Sequence, residues 1–265
     1  MLQTYDEHQG RIQTPPHYAL DSINARGFDD ELHAWACGAR NFAHPLIVEF
    51  GTEVNGYWFP WNARYNGPHG AEKFRQAFTR IVWIARQAGA SNITWVFHIA
   101  ADDDPDSIGN HLEEYYPGDD WVDWIAVSVY GPQESDDHDW TPFRDRMQAV
   151  HERIRQCAPA KPIIVAELGA RRNDEAKQSQ WADAALASLI AGWHSVIGFA
   201  WWNSGSVDMR VQDNLELAKV FRQRLAHEQR ILQRALEEPA VPKPAGTEPT
   251  SPPERQCKPP GSQRG

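Results

Sequence analysis

Residues 46 to 62 read LIVEFGTEVNGYWFPWN, an apolar run rich in β-branched residues that stops short of Glu53 and gives way to Asn55, Tyr57, Trp58, Phe59 and Trp61. A short continuous apolar run of this kind marks a strand buried on both faces, as in a parallel sheet. The run extends back to Pro45 as PLIVEF (45–50), and four more follow: ITWVFHI (93–99), WVDWIAVSVY (121–130), KPIIVAEL (161–168) and SVIGFAWW (195–202). Helical sequence separates them. FDDELHAWACGAR (28–40) precedes the first run, and AEKFRQAFTRIVWIARQAG places Phe74, Phe78, Ile81, Val82 and Ala85 on one helical face. WTPFRDRMQAVHERI carries the stripe Phe143, Met147, Val150 and Ile154, with Thr141 as the expected cap and Pro142 in the first turn. A further helix begins near Asn173 and another runs from about Asn214 to Glu237.

Strands alternating with helices imply parallel strands joined by crossover helices. No glycine-rich phosphate loop follows any strand, and polar and aromatic residues gather just past the strand ends, which favours a (β/α)8 TIM-type barrel over an open doubly wound sheet. Five strands are clear and a sixth is expected in the first dozen residues, so the barrel reads as lacking its first two or three βα units. The barrel domain is placed over residues 1–238. From Pro239 to Gly265, eight of 27 residues are proline and Val241 is the single large aliphatic residue, the composition of a disordered tail.

The net charge of −10 over 265 residues, with no basic stripe, excludes a nucleic acid partner, because phosphate binding requires clustered Lys and Arg. Cys37, Cys157 and Cys257 are too scattered for a disulfide framework or a zinc site. No stretch approaches the 18 or so apolar residues of a membrane span, and no secretory signal is visible at the start. A single monomeric soluble chain without membrane insertion is expected.

Glu53 and Glu167 each close a predicted strand, 114 positions apart, and in a barrel such ends share one rim. Two carboxylates about 5 to 5.5 Å apart equip a retaining glycosidase, whereas a strand-end acid taken alone is as readily a helix cap or a surface ion pair. The aromatic company decides between these. Trp58, Trp61, Tyr130, Trp201 and Trp202 follow or end strands, and flat aromatic faces suit sugar rings. Trp83, Trp95, Trp124 and Trp193 read as core. His98, at the end of its strand, either faces the pocket or is a satisfied core histidine. DDDPDSIGNHLE sets Asp102, Asp104, Asp106 and Glu113 at the spacing of a calcium loop, but Ser107 replaces the required glycine and Pro105 intrudes. It reads as a solvated acidic loop, and no metal or cofactor is expected.

EVNGYWFPWN, YYPGDDWVDWIAVSVYG, KPIIVAELGA and WWNSGSVDMRV, in this order over residues 28 to 225, resemble glycoside hydrolase family 26, the β-mannanase-like enzymes built on a (β/α)8 barrel. The resemblance implies that Glu53 in E-x-N-G-x-W is the general acid/base, that Glu167 is the nucleophile and that Tyr130 hydrogen-bonds it. It implies sugar subsites lined by Trp58 and by Trp201 or Trp202, and Thr52, Asn55, Trp61 and His98 are expected to contact substrate beside them. Thr52 stands where the family has histidine, and Glu49 where it has arginine. The expected activity is a retaining, endo-acting hydrolysis of β-1,4-linked polysaccharide of mannan type. Its polymeric substrate implies an extracellular or periplasmic location. A carbohydrate-binding chain without turnover, or an inactive C-terminal part of a longer glycosidase, are the alternatives.

Overall fold

The computed structural model describes residues 4–6, 11–13 and 19–226. In chain order the elements are β1 (Thr4–Asp6), β2 (Arg11–Gln13), α1 (Leu20–Asn24), α2 (Asp29–Phe42), β3 (Leu46–Glu49), α3 (Ala63–Asn66), α4 (Gly70–Gln87), β4 (Ile93–Ala100), α5 (Leu112–Tyr115), β5 (Trp124–Tyr130), α6 (Phe143–Cys157), β6 (Ile163–Gly169), α7 (Glu175–Ala191), β7 (Val196–Trp201) and α8 (Leu215–Leu225). Strands β3 to β7 follow one another in a five-stranded sheet, in sequence order. β1 and β2 instead pair antiparallel with each other. This corrects the expectation of a sixth parallel strand in the first dozen residues: those strand residues make a hairpin of their own. The expected proline-rich tail over 239–265, and the helix beyond residue 226, lie outside the described residues.

The chain divides into two compact units. The first holds α1 to α5, with β3 parallel to the start of β4 from Leu46 opposite Ile93. Helix α4 lays Phe74, Phe78, Ile81, Val82 and Ala85 into this core, all buried as their spacing requires. Helix α2 begins with Asp29, Asp30 and Glu31 and has Arg40 in its last turn, charges that complement the helix dipole. Strand β3 departs from expectation. Its burial alternates between half-buried and exposed, and Ile47 is 63% exposed, so it is a half-covered edge rather than a fully buried strand.

The second unit takes the end of β4 together with β5, α6, β6, α7, β7 and α8. Here Ala101 N–H donates to Ser128 C=O, β5 runs parallel to β6, and β6 runs parallel to β7. Phe143, Met147, Val150 and Ile154 of α6 are buried as predicted. Thr141 does not cap this helix. Its hydroxyl turns back to Asp139, and Pro142, which has no side-chain donor or acceptor, occupies the cap position. Asp174 and Asn214 do cap α7 and α8, each accepting from backbone N–H groups of the first turn. Among the described residues Cys157 is a free thiol. No described helix is long and apolar enough to cross a membrane.

Candidate active site

Glu53 lies four residues beyond the end of β3, in a turn rather than at the strand end itself. The chain leaves the strand through Gly51, at φ +76°, where a Cβ would stand 2.4 Å from the Phe74 ring. Glu53 is itself left-handed, at φ +46°, a conformation costing about 1 kcal/mol for a residue with a Cβ. Its carbonyl closes the turn by accepting from Gly56 N–H at 2.8 Å. The side chain, 9% exposed, accepts a hydrogen bond at Oε2 from Trp58 Nε1 at 2.6 Å. Gly56 makes that contact sterically possible, since a Cβ there would sit 2.2 Å from the Trp58 ring. The spacing of E-x-N-G-x-W thus has a local geometric meaning: a turn, a gap in the side-chain row, and an indole lying across the gap to the carboxylate.

Three residues expected at the substrate surface are instead built into the protein. Trp61 is 6% exposed, stacks on Phe59 with ring centres 4.7 Å apart, and donates Nε1 to Thr52 C=O at 2.7 Å. Asn55 is fully buried, its Nδ2 donating to Asp103 Oδ1 at 2.7 Å. His98, 2% exposed, pairs its Nε2 with Ser128 Oγ at 2.9 Å, as a satisfied core histidine does. Burial therefore corrects the picture of loop aromatics and polar groups all lining a wet cleft.

Beneath the Glu53 turn runs a buried polar network that the sequence reading missed. Asn62 Nδ2 donates to Val54 C=O at 3.0 Å and to Asn110 Oδ1 at 2.6 Å. Asn110 Nδ2 donates to the carbonyls of Asn55 and Pro105, each at 2.8 Å. Tyr115 OH donates to Asn110 Oδ1 at 2.7 Å and accepts from Ala63 N–H, so the turn and the loop after β4 are tied together. Burial, more than any other cause, pushes the Tyr115 phenol far above its ordinary value, so it remains a donor throughout the working pH range. Asn62 also caps α3, and an Asn closing an aromatic run was the one available signal for this network.

Glu167 is placed differently, inside β6. Val127 pairs with Val165 but Ser128 pairs with Glu167, so Ala166 is an extra residue in its strand. The neighbouring pairing agrees, passing from Val165 opposite Phe199 to Leu168 opposite Trp201. Such a bulge re-aims side chains. Ile163, Val165 and Leu168 are fully buried, while Ala166 and Glu167 are half-buried together, off the face that strict alternation would give Glu167. Tyr130, at the end of β5, donates its OH to Glu167 Oε2 at 2.6 Å. Gly169 leaves room for this ring: a Cβ there would lie 3.2 Å from Tyr130 Cε1 and 2.7 Å from Met209 Sδ. Trp201 donates Nε1 to Met209 C=O at 2.7 Å and packs edge-on against Phe221, while Trp202 is 46% exposed.

In the acidic loop after β4, Asp103, Asp106 and His111 bring ligand-capable atoms within 4.8 Å of one another. These differ from the set suggested by the calcium-loop spacing. Asp102 pairs with Arg146, and Asp103 Oδ1 accepts from Asn55 and from Leu112 N–H. Asp106 pairs with His111 at 3.2 Å, so the cluster already serves to shape the loop.

The family model for glycosyl hydrolase family 26 matches residues 5–185. Endoglucanase H of Acetivibrio thermocellus is 29% identical over 177 residues, which are 64% of this chain and 19% of that protein. Beta-1,3-xylanase TXYA of Vibrio sp is 31% identical over 132 residues, 49% of this chain and 25% of that protein. Among solved structures, the GH26 β-mannanase BoMan26A of Bacteroides ovatus shares the fold with a TM-score of 0.56 at 16% identity, over 79% of this chain and 63% of that one. The chain thus spans a quarter or less of the length of these two relatives and less than two thirds of that structure.

Proposed function

The chain belongs to glycosyl hydrolase family 26, and on that premise we propose that it hydrolyses a β-linked polysaccharide with retention of anomeric configuration, using Glu53 and Glu167. The observation that carries the reading is that each of these two carboxylates is held by an aromatic donor at 2.6 Å, Glu53 by Trp58 and Glu167 by Tyr130. Carboxylates serving only as surface ion pairs have no need of such fixed partners.

In the proposed reaction the Glu167 carboxylate attacks the anomeric carbon as the glycosidic C–O bond breaks, and protonated Glu53 delivers its proton to the departing oxygen. A glycosyl ester on Glu167 and a shortened polymer result. Glu53, now a carboxylate, removes a proton from water as the water oxygen attacks the anomeric carbon, and the ester bond breaks to restore Glu167. The Tyr130 hydroxyl stabilises the charged form of Glu167 before attack and after release. Trp58 and the exposed Trp202 supply aromatic surface for the sugar. We assign an endo-acting cleavage of a mannan-type β-1,4-linked backbone, the reading that the motif set around Glu53, Tyr130, Glu167 and Trp202 favours.

The test is reducing-sugar release, with product configuration read by proton NMR, from β-mannan, mixed-linkage β-glucan, β-1,4-xylan and β-1,3-xylan. The glucan and the β-1,3-xylan enter because two relatives are named an endoglucanase and a β-1,3-xylanase. Wild type should cleave mannan with retention, and Glu53→Ala should lose about 10²- to 10⁴-fold of the rate. Cleavage undiminished in Glu53→Ala, or with inversion, would overturn the mechanism. A second reading, glycan binding without turnover, is favoured by Thr52 and Glu49 in place of the family's histidine and arginine. It predicts retention of wild type on immobilised mannan with no sugar released.

A further inference from the structure

We propose that Trp58 is a positioning residue for Glu53: its indole N–H is committed to Oε2, so that Oε1 is the oxygen that carries the proton to the leaving group and later takes one from water. This deepens the reading above and rests on it. The family resemblance gives Trp58 a role in stacking on sugar, yet the described geometry gives it a second one that stacking does not need.

Three observations converge. The Nε1 to Oε2 distance of 2.6 Å is that of a strong hydrogen bond to a carboxylate. The indole reaches it only by lying across Gly56, where any Cβ would collide with the ring at 2.2 Å, so the backbone is shaped around this orientation. Glu53 has left-handed backbone, closed by Gly56 N–H onto its own carbonyl, and this turns the side chain toward the indole. An oxygen already accepting an N–H is the poorer seat for a proton. The neutral acid therefore places its hydrogen on Oε1, and the same lock keeps the carboxylate in place between the two half-reactions. The lock also limits how the carboxyl can rotate, which matters because general acid catalysis depends on the proton lying in line with the departing oxygen.

The experiment compares wild type, Trp58→Phe and Gly56→Ala. Trp58→Phe keeps an aromatic face and removes only the donor; Gly56→Ala keeps the indole and displaces it. Both should lower kcat on unactivated polymer by about tenfold to a hundredfold, with KM within about twofold. On a dinitrophenyl glycoside, whose departing oxygen needs no proton, formation of the glycosyl-enzyme should fall at least about tenfold less than hydrolysis of the polymer does. Raised KM on both substrates with kcat preserved would make Trp58 a sugar platform alone and overturn the proposal.

An arm independent of activity reads the indole N–H resonance of Trp58, assigned by its loss in Trp58→Phe. Glu53→Ala should shift this resonance and speed its exchange with solvent. If neither changes, the lock is absent. If the resonance responds while wild type cleaves no glycan, the positioning of Glu53 stands and the proposed hydrolysis falls.

Discussion

The two glutamates are held by the same device in different settings. Each is followed by a glycine, Gly56 or Gly169, whose missing Cβ lets an aromatic ring lie against the backbone and donate to the carboxylate. Glu167, however, sits inside a strand, and sheet hydrogen bonds plus one bulge at Ala166 aim it. Glu53 sits in a turn beyond its strand, and side chains from a separate loop brace that turn from below. A sheet orders its backbone cooperatively, so a residue within it inherits a direction. A turn has no such ladder, and its buried groups must each find a partner or cost free energy.

Deleting Ala166 tests the sheet side of this contrast most severely. Glu167 would then follow Val165 directly, on the face of the half-buried Ile164 and still opposite Ser128, but without the local kink that aims it at Tyr130. Activity should fall by about 100-fold or more, as expected when a reacting group is displaced by about 1 Å. A shortened chain of unchanged activity would show that the bulge does not aim Glu167. On the turn side, Asn110→Ala removes a residue that accepts from Asn62 and Tyr115 and donates to two carbonyls. It should cost about 3 kcal/mol in urea denaturation and lower activity with it. Loss of stability with full activity would separate the brace from the acid.

Smaller changes sharpen the comparison. Tyr130→Phe removes the donor to Glu167 and should slow hydrolysis by about 30-fold, equivalent to about 2 kcal/mol, with thermal stability nearly kept. Activity equal to wild type would leave Glu167 oriented by the sheet alone. The smallest effect concerns the left-handed backbone at Glu53. Glu53→Gly should be more stable than Glu53→Ala by about 1 kcal/mol, because glycine adopts φ +46° without strain. Equal stability of the two would mean that the turn relaxes once the carboxylate is gone.

Much of this molecule was readable along the chain, for a physical reason visible in particular residues. The stripe from Phe74 to Ala85 and the stripe from Phe143 to Ile154 are buried where their spacing put them, since helical period and burial are local properties. Strand β6 was readable in KPIIVAEL (161–168), close to its observed extent of Ile163–Gly169, because a continuous β-branched run is also a local property. The N-terminal residues misled, because a strand-like composition does not say which neighbour it pairs with, and β1 found β2. Thr141 misled as well: a hydroxyl near a helix start has several acceptors in reach, and Asp139 won.

Alternation of buried runs with amphipathic helices, the two glutamates and the motifs that mark the family are all properties of neighbouring residues, and the amino-acid order determines them. The brace under Glu53 is of another kind. Asn62 and Asn110 are 48 positions apart and meet only because α4 and β4 fold back between them. The extra residue at Ala166 and the burial of Trp61 and His98 likewise arose from tertiary structure alone. Side-chain hydrogen bonds between distant segments have no period along a chain, so only the packed fold selects them.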